Sequence, residues 1–208
     1  MTRVLLASRN AKKLAELRRI VAAAGLGGIE IVGLDDLPPF PDAPETGATF
    51  EENALAKARD AVAATGLPAI ADDSGIAVDA LNGMPGVLSA RWSGKHGDDQ
   101  ANLDLLLGQL SDVPDERRGG AFVCAVALAL PGAGGEGGEG GTEKVVRGEW
   151  RGTVIREERG ANGFGYDPIF VPDGDDKTSA ELTPEEKDAR SHRGLALSLL
   201  VPHLRELL

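Results

Sequence analysis

The residues best equipped for chemistry stand in one short stretch, Asp72-Asp73-Ser74-Gly75, delivered by the apolar run Ala69-Ile70-Ala71. Adjacent carboxylates repel one another and are costly to bury unpaired, so an apolar setting returns nothing to the fold for such a pair. A hard divalent cation such as Mg²⁺ takes carboxylate oxygens and is the commonest reason to put two there. Asp-Ser-Gly is equally the chemistry of a tight turn. From the quartet alone both readings stand: a metal site at the end of a buried strand, or a plain turn.

A second group lies near the start. Val4-Leu5-Leu6-Ala7 reads as a short buried strand, and Leu14, Leu17, Ile20, Val21 and Ala24 mark one face of a helix closed by Gly25. Between them runs the polar loop Ser8-Arg9-Asn10-Ala11-Lys12-Lys13. Outward amides, the helix dipole and a lysine suit such a loop to an anion. It is not a Walker A loop, whose glycines are absent. Ser8 or Asn10 serves equally well as a helix cap beside solvated lysines.

The elements that must position these groups follow in order. Gly33 to Pro44 is an irregular connection rich in proline and aspartate. Glu45-Thr46-Gly47 leads into Thr49-Phe50-Glu51-Glu52, a capping-box pattern opening a helix expected to end near Thr65. Asn53 and Lys57 share one face of it, a face that either borders the acidic pair or is solvated. After a turn at the acidic quartet, Ile76–Leu81 is expected as a second strand and Ser89–Gly94 as an extended polar segment whose Arg91 faces phosphate. Asp98 caps a helix carrying Leu103, Leu106, Leu107 and Leu110, and Ala121–Leu130 is a central strand by its unbroken apolar character. Pro131 to Gly141 is expected as a flexible glycine-rich loop, and Val145–Trp150 with Thr153–Arg156 as a hairpin-like pair.

In Gly163-Phe164-Gly165-Tyr166-Asp167-Pro168-Ile169-Phe170, glycines between aromatics let the backbone approach a flat ligand, or mark a bulged core strand. Thr183-Pro184-Glu185-Glu186 is a further capping box. Lys187, Ser191, His192 and Arg193 follow it, then an amphipathic helix that Pro202 is expected to kink or restart.

Composition bounds the answer. The 208 residues fit one domain, 1–208, and a formal charge of −11 argues against a nucleic-acid polymer or an anionic membrane as partner. The single cysteine, Cys124, sits in an apolar run and reads as a buried, inert thiol. No stretch reads as a signal peptide or a membrane span, so a cytoplasmic location is expected.

Taken together, the segments resemble the inosine triphosphate pyrophosphatase family, which hydrolyses deaminated purine nucleoside triphosphates. The resemblance spans nearly the whole chain. It rests on Ser8-x-Asn10-x-x-Lys13, Glu45-Thr46-Gly47, Phe50-x-Glu52-Asn53-Ala54-x-x-Lys57-Ala58 and Ala71-Asp72-Asp73-Ser74-Gly75. It continues through Ser89-Ala90-Arg91, Gly163-Phe164-Gly165-Tyr166-Asp167-Pro168, Glu181-Leu182, Lys187 and Ser191-His192-Arg193-Gly194.

What the resemblance implies is a two-lobed α/β fold around a long mixed sheet with flanking helices, an active-site cleft between the lobes, and a homodimer. It implies that Ser8, Asn10 and Lys13 hold the triphosphate, and that Glu45 and Asp73, with Asp72 beside them, serve a Mg²⁺ site. Asp73 is then the proton acceptor. Ser74, Phe164, Gly165, Tyr166, Asp167, Lys187, His192 and Arg193 would hold the nucleotide and its base. Arg9 departs from the family pattern, which has glycine there. Two other classes remain open: an aspartate-nucleophile phosphatase releasing orthophosphate, and a nucleotide-binding regulator without turnover.

Overall fold

A computed structural model describes residues 1–41, 44–132 and 141–208, so the expected glycine-rich loop lies almost wholly outside the described residues. The strands are β1 (Thr2–Leu6), β2 (Ile29–Val32), β3 (Ala69–Val78), β4 (Gly119–Ala129), β5 (Glu143–Val154) and β6 (Phe170–Pro172). The helices are α1 (Ala11–Ala23), α2 (Phe50–Thr65), α3 (Asp99–Gln109), α4 (Pro184–Asp188) and α5 (His192–Arg205). One sheet has the order β2-β1-β3-β4-β5-β6; its β1 pairs are parallel and β5–β6 is antiparallel, so the fold is mixed α/β.

The packing divides into two compact units. The first comprises Met1–Asp73, Ala125–Gly148 and Ala196–Leu208; the second comprises Ser74–Cys124 and Glu149–Leu195.

In the first unit, Val4, Leu5 and Leu6 are fully buried, as an unbroken apolar strand paired on both sides requires. Parallel strands need crossover connections, and α1 and α2 supply them. From β1 the chain crosses to β2 on one side, then back past β1 to β3 on the other. Right-handed crossovers running in opposite directions put α1 and α2 on opposite faces of the sheet. Asn10 caps α1, accepting from the amides of Lys12 (2.9 Å) and Lys13 (3.3 Å). Thr49 caps α2 through the Glu52 amide, whereas the Glu52 carboxylate reaches the amide of Ala48, one residue before its place in a capping box. Pro202 falls inside α5, which continues to Arg205 without a break. Leu197, Leu200 and Leu204 stay buried on either side of it, and that packing outweighs the proline's preference for a break.

In the second unit, Leu103 and Leu106 of α3, with Leu110 at its C-cap, pack with Ile76, Val78, Phe122, Trp150, Ile169 and Phe170. Three expectations are corrected. The acidic quartet forms no turn, because β3 runs through it as one strand from Ala69 to Val78. The expected hairpin is likewise one strand, β5, in which buried Gly148, Trp150, Gly152 and Val154 alternate with exposed or half-buried positions, so Arg151-Gly152 keeps the strand period. The segment holding Ser89 is a 3₁₀ helix, Gly86–Arg91, rather than extended. Its Ser89 hydroxyl accepts from the Ile76 amide (2.9 Å) and donates to Gly86 O (2.6 Å). That close seat explains Gly75: a Cβ there would lie 2.6 Å from Gly86 O and would collide with the Ser89 hydroxyl.

Candidate active site

Reversal of strand order at β1 has a chemical consequence. In open α/β sheets, ligands bind beyond the carboxyl ends of the strands where the order reverses. Here Leu6 is paired with Ile70, so Ser8–Lys13 leaves the end of β1 beside the continuing strand that carries Asp72 and Asp73. Consecutive residues of a strand point to opposite faces, and the two carboxylates are thereby separated. Asp72 turns to α1, where its Oδ2 accepts from Lys13 Nζ at 2.5 Å. Asp73 turns to α2: Oδ2 accepts from Asn53 Nδ2 at 2.9 Å, and Oδ1 from Lys57 Nζ at 3.2 Å. The Lys57 ammonium also pairs with the Glu45 carboxylate. One positive charge thus stands between Glu45 and Asp73.

Burial pushes the Asp73 carboxyl above its ordinary range, and the nearby charge of Glu45 adds to this; Lys57 and Asn53 act against it. For Lys57, burial opposes the charged form, but Asp73 and Glu45 outweigh it and hold the ammonium above its usual value. A proton acceptor with raised affinity thus sits beside a cation that stays charged.

Asp72 and the Glu45–Asp73 pair meet different lysines. Among the described residues no cluster of three or more His, Cys, Asp or Glu side chains is arranged as a metal site. Asp72 is engaged by Lys13, whereas Glu45 and Asp73 converge on one ammonium. Two converging carboxylates fit Mg²⁺, which is held by one or two carboxylates plus substrate phosphates and keeps several waters. Ser8 and Asn10 act locally as loop and helix caps, the Ser8 hydroxyl accepting from the Asn10 amide at 3.2 Å.

The second unit gathers most of the remaining expected residues around Asp167, which is 2 % exposed. Its Oδ2 accepts from the Phe164 amide (2.9 Å) and from Lys187 Nζ, and its Oδ1 from the Ser179 hydroxyl (2.9 Å). The Gly165 amide donates to Asp99 Oδ2 at 3.0 Å. Tyr166 is buried, donates to Ser89 O at 2.8 Å, and is held above its ordinary pKa by burial, with Asp99's charge adding. Asp167 and Tyr166 therefore build the loop from beneath. Phe164 is what the loop displays: 64 % exposed, with the Lys187 ammonium 5.4 Å from its ring centre. His192 stacks on Phe122 with ring centres 5.0 Å apart, and burial lowers the Arg193 guanidinium to about 10, so it stays cationic at neutral pH. Ser74 is half-buried in β3.

Asn53 and Lys57 were visible in the sequence as a shared helix face and as part of the motif that carries the resemblance, with no role assigned to them. Their spacing was the signal, and the structure turns that face to Asp73. Asp99 and Ser179 had no local signal, because the groups they hold stand 66 and 12 residues away in the chain.

The Ham1 family model matches residues 4–203, and the chain belongs to this family. Among curated relatives it is 70 % identical over 207 residues to the dITP/XTP pyrophosphatase of Nocardia farcinica, covering 100 % of this chain and 97 % of that one. With the dITP/XTP pyrophosphatase of Streptomyces coelicolor it shares 59 % identity over 208 residues, covering 100 % of both. A crystal structure of a nucleoside-triphosphatase / dITP/XTP pyrophosphatase from Mycobacterium abscessus aligns with TM-score 0.80 and 62 % identity, over 98 % of this chain and 100 % of that one. A HAM1 protein from Coxiella burnetii aligns with TM-score 0.87 and 42 % identity, over 99 % and 100 %.

Proposed function

We propose that this protein is a Mg²⁺-dependent nucleoside triphosphate pyrophosphatase that converts deaminated purine nucleotides (ITP, dITP, XTP) to the monophosphate and pyrophosphate, and so clears them from the nucleotide pool. The observation that carries this reading is the buried Asp73 carboxylate, set by Asn53 and Lys57 beside the loop of Ser8–Lys13. The relatives named dITP/XTP pyrophosphatase support it.

In this mechanism a water attacks the α-phosphorus. Asp73 takes its proton as the new oxygen–phosphorus bond forms. The bond from that phosphorus to the bridging oxygen breaks, and pyrophosphate leaves with the electron pair. Lys13 and the positive end of the α1 dipole meet the negative charge that gathers on the leaving group. Ser8 and Asn10 position the triphosphate. Glu45 and Asp73 would hold Mg²⁺, which when bound neutralises phosphate charge and acidifies water. Ser74 contacts the nucleotide, and Phe164 offers its exposed face to the base, with Gly165, Tyr166, Asp167 and Lys187 shaping that support. His192 and Arg193 present donors to the 6-oxo group, where adenine carries an amino donor instead.

Product identification is the test. ITP with Mg²⁺ should give inosine monophosphate and pyrophosphate, EDTA should abolish turnover, and added Mg²⁺ should restore it. Orthophosphate from an acyl-phosphate on Asp72 or Asp73 would make the protein an aspartate-nucleophile phosphatase. Tight binding without products would make it a regulator. Light scattering in solution tests the homodimer carried by the family resemblance.

A further inference from the structure

Helix α2 presents two side chains one turn apart, and each spans the same gap. Lys57 joins the Glu45 carboxylate to Asp73 Oδ1. One turn earlier, Asn53 accepts from the Gly47 amide at 2.8 Å and donates to Asp73 Oδ2 at 2.9 Å. Asn53 is 2 % exposed, so its amide is committed to these two partners and cannot trade them for water without opening the helix face. Gly47 lies two residues beyond Glu45, so a single amide fixes both the segment that carries Glu45 and the carboxylate of Asp73. The loop must come close for this: a Cβ on Gly47 would lie 2.7 Å from Asn53 Oδ1 and 3.0 Å from its backbone nitrogen. Like charges push Glu45 and Asp73 apart, and a flexible lysine alone sets no fixed separation between them. A planar amide bonded on both edges does.

We propose that Asn53 is a positioning residue that sets the spacing of Glu45 and Asp73, and that Gly47 is glycine so that the clamp can close. This rests on the role assigned above to those two carboxylates. Outer partners that orient catalytic or metal-binding carboxylates typically change activity or metal affinity about 10–100-fold when removed. Asn53→Leu removes both bonds, Asn53→Asp keeps the acceptor and loses the donor, and Gly47→Ala disturbs the clamp from the half-buried loop side.

The test measures steady-state ITP hydrolysis for each variant together with Mn²⁺ titrated alone and followed by electron paramagnetic resonance. The expected result is kcat lower by about 10–100-fold, KM for ITP within about threefold of the parent, and weaker Mn²⁺ binding. A merely structural role would lower the melting temperature and leave kcat per folded molecule and Mn²⁺ affinity unchanged, and that result overturns the proposal. Should the Asn53 variants fail to fold, Gly47→Ala decides it alone, because near-parent kcat and Mn²⁺ affinity there also overturn it. Two controls separate this from the underlying reading. A parent protein that releases no pyrophosphate defeats the proposed function, and an active Asp73→Asn defeats the role of Asp73, whatever Asn53 does.

Discussion

At the scale of single residues, the two aspartates of one dipeptide carry different work because a strand alternates. Asp73→Asn is nearly isosteric but accepts no proton, so turnover of ITP should fall by roughly 10²–10⁴-fold while binding through Ser8, Asn10 and Lys13 persists. Lys13→Ala should weaken binding and slow the reaction together, because its charge meets the phosphates in both ground and transition states. Single-turnover rates and affinities for each variant separate the two. His192→Ala and Arg193→Ala should erode the preference for ITP over ATP by about 5–150-fold, the weight of one well-placed hydrogen bond at ~1–3 kcal/mol; kcat/KM ratios read this directly. The raised carboxyl of Asp73 also has a thermodynamic sign. Its folded pKa lies above its unfolded one, so its contribution to stability is complete below the unfolded value and is lost as pH rises through the folded value. In metal-free buffer, the stability of the parent relative to Asp73→Asn should therefore decline as pH rises from about 3 upward through that window. A flat difference across acid pH would show that burial does not govern this carboxyl.

At the scale of elements, much was legible. Helices α1 and α2 followed their apolar stripes, Thr183 made its reciprocal box with Glu186, and the unbroken run of β4 was a central strand. What misled was punctuation. Asp-Ser-Gly and Arg151-Gly152 read as turns, yet both lie within continuous strands: β3 is buried without interruption from Ala69 to Asp73 and runs on to Val78, and β5 keeps its period-two burial. Local turn chemistry is a preference of ~1 kcal/mol or less per residue, and pairing within a sheet overrides it. The Ser8–Lys13 loop and the Asn53–Lys57 face were visible in sequence; that they flank one dipeptide from opposite faces depends on the strand order, which no local pattern encodes. Gly75 is the strongest check on the continuous strand. Gly75→Ala should destabilise the protein by about 1–3 kcal/mol, since the added methyl meets Gly86 O and the Ser89 hydroxyl. Denaturant melts measure this, and an unchanged midpoint would mean that the 3₁₀ helix above it yields freely.

At the scale of the molecule, a chain of net charge −11 must handle a polyanion with a few local cations. No described helix is long and apolar enough to cross a membrane. The lysines that face the acidic dipeptide are already spoken for: Lys13 by Asp72, and Lys57 by Glu45 and Asp73. They act as built-in counter-ions to Asp72, Glu45 and Asp73. A bare triphosphate would have to draw these two ammoniums away from their carboxylates. A nucleotide escorted by a divalent ion would bring its own neutralisation, and Glu45 and Asp73 would hold that ion. On the proposed function the substrate would be the escorted nucleotide, with the escort part of what is recognised. With total Mg²⁺ held fixed, raising ITP beyond it holds the Mg²⁺–ITP complex at its ceiling while uncomplexed ITP accumulates, so the rate should level off rather than fall. Strong competition from uncomplexed ITP would show that the helix start of α1 supplies enough positive charge by itself.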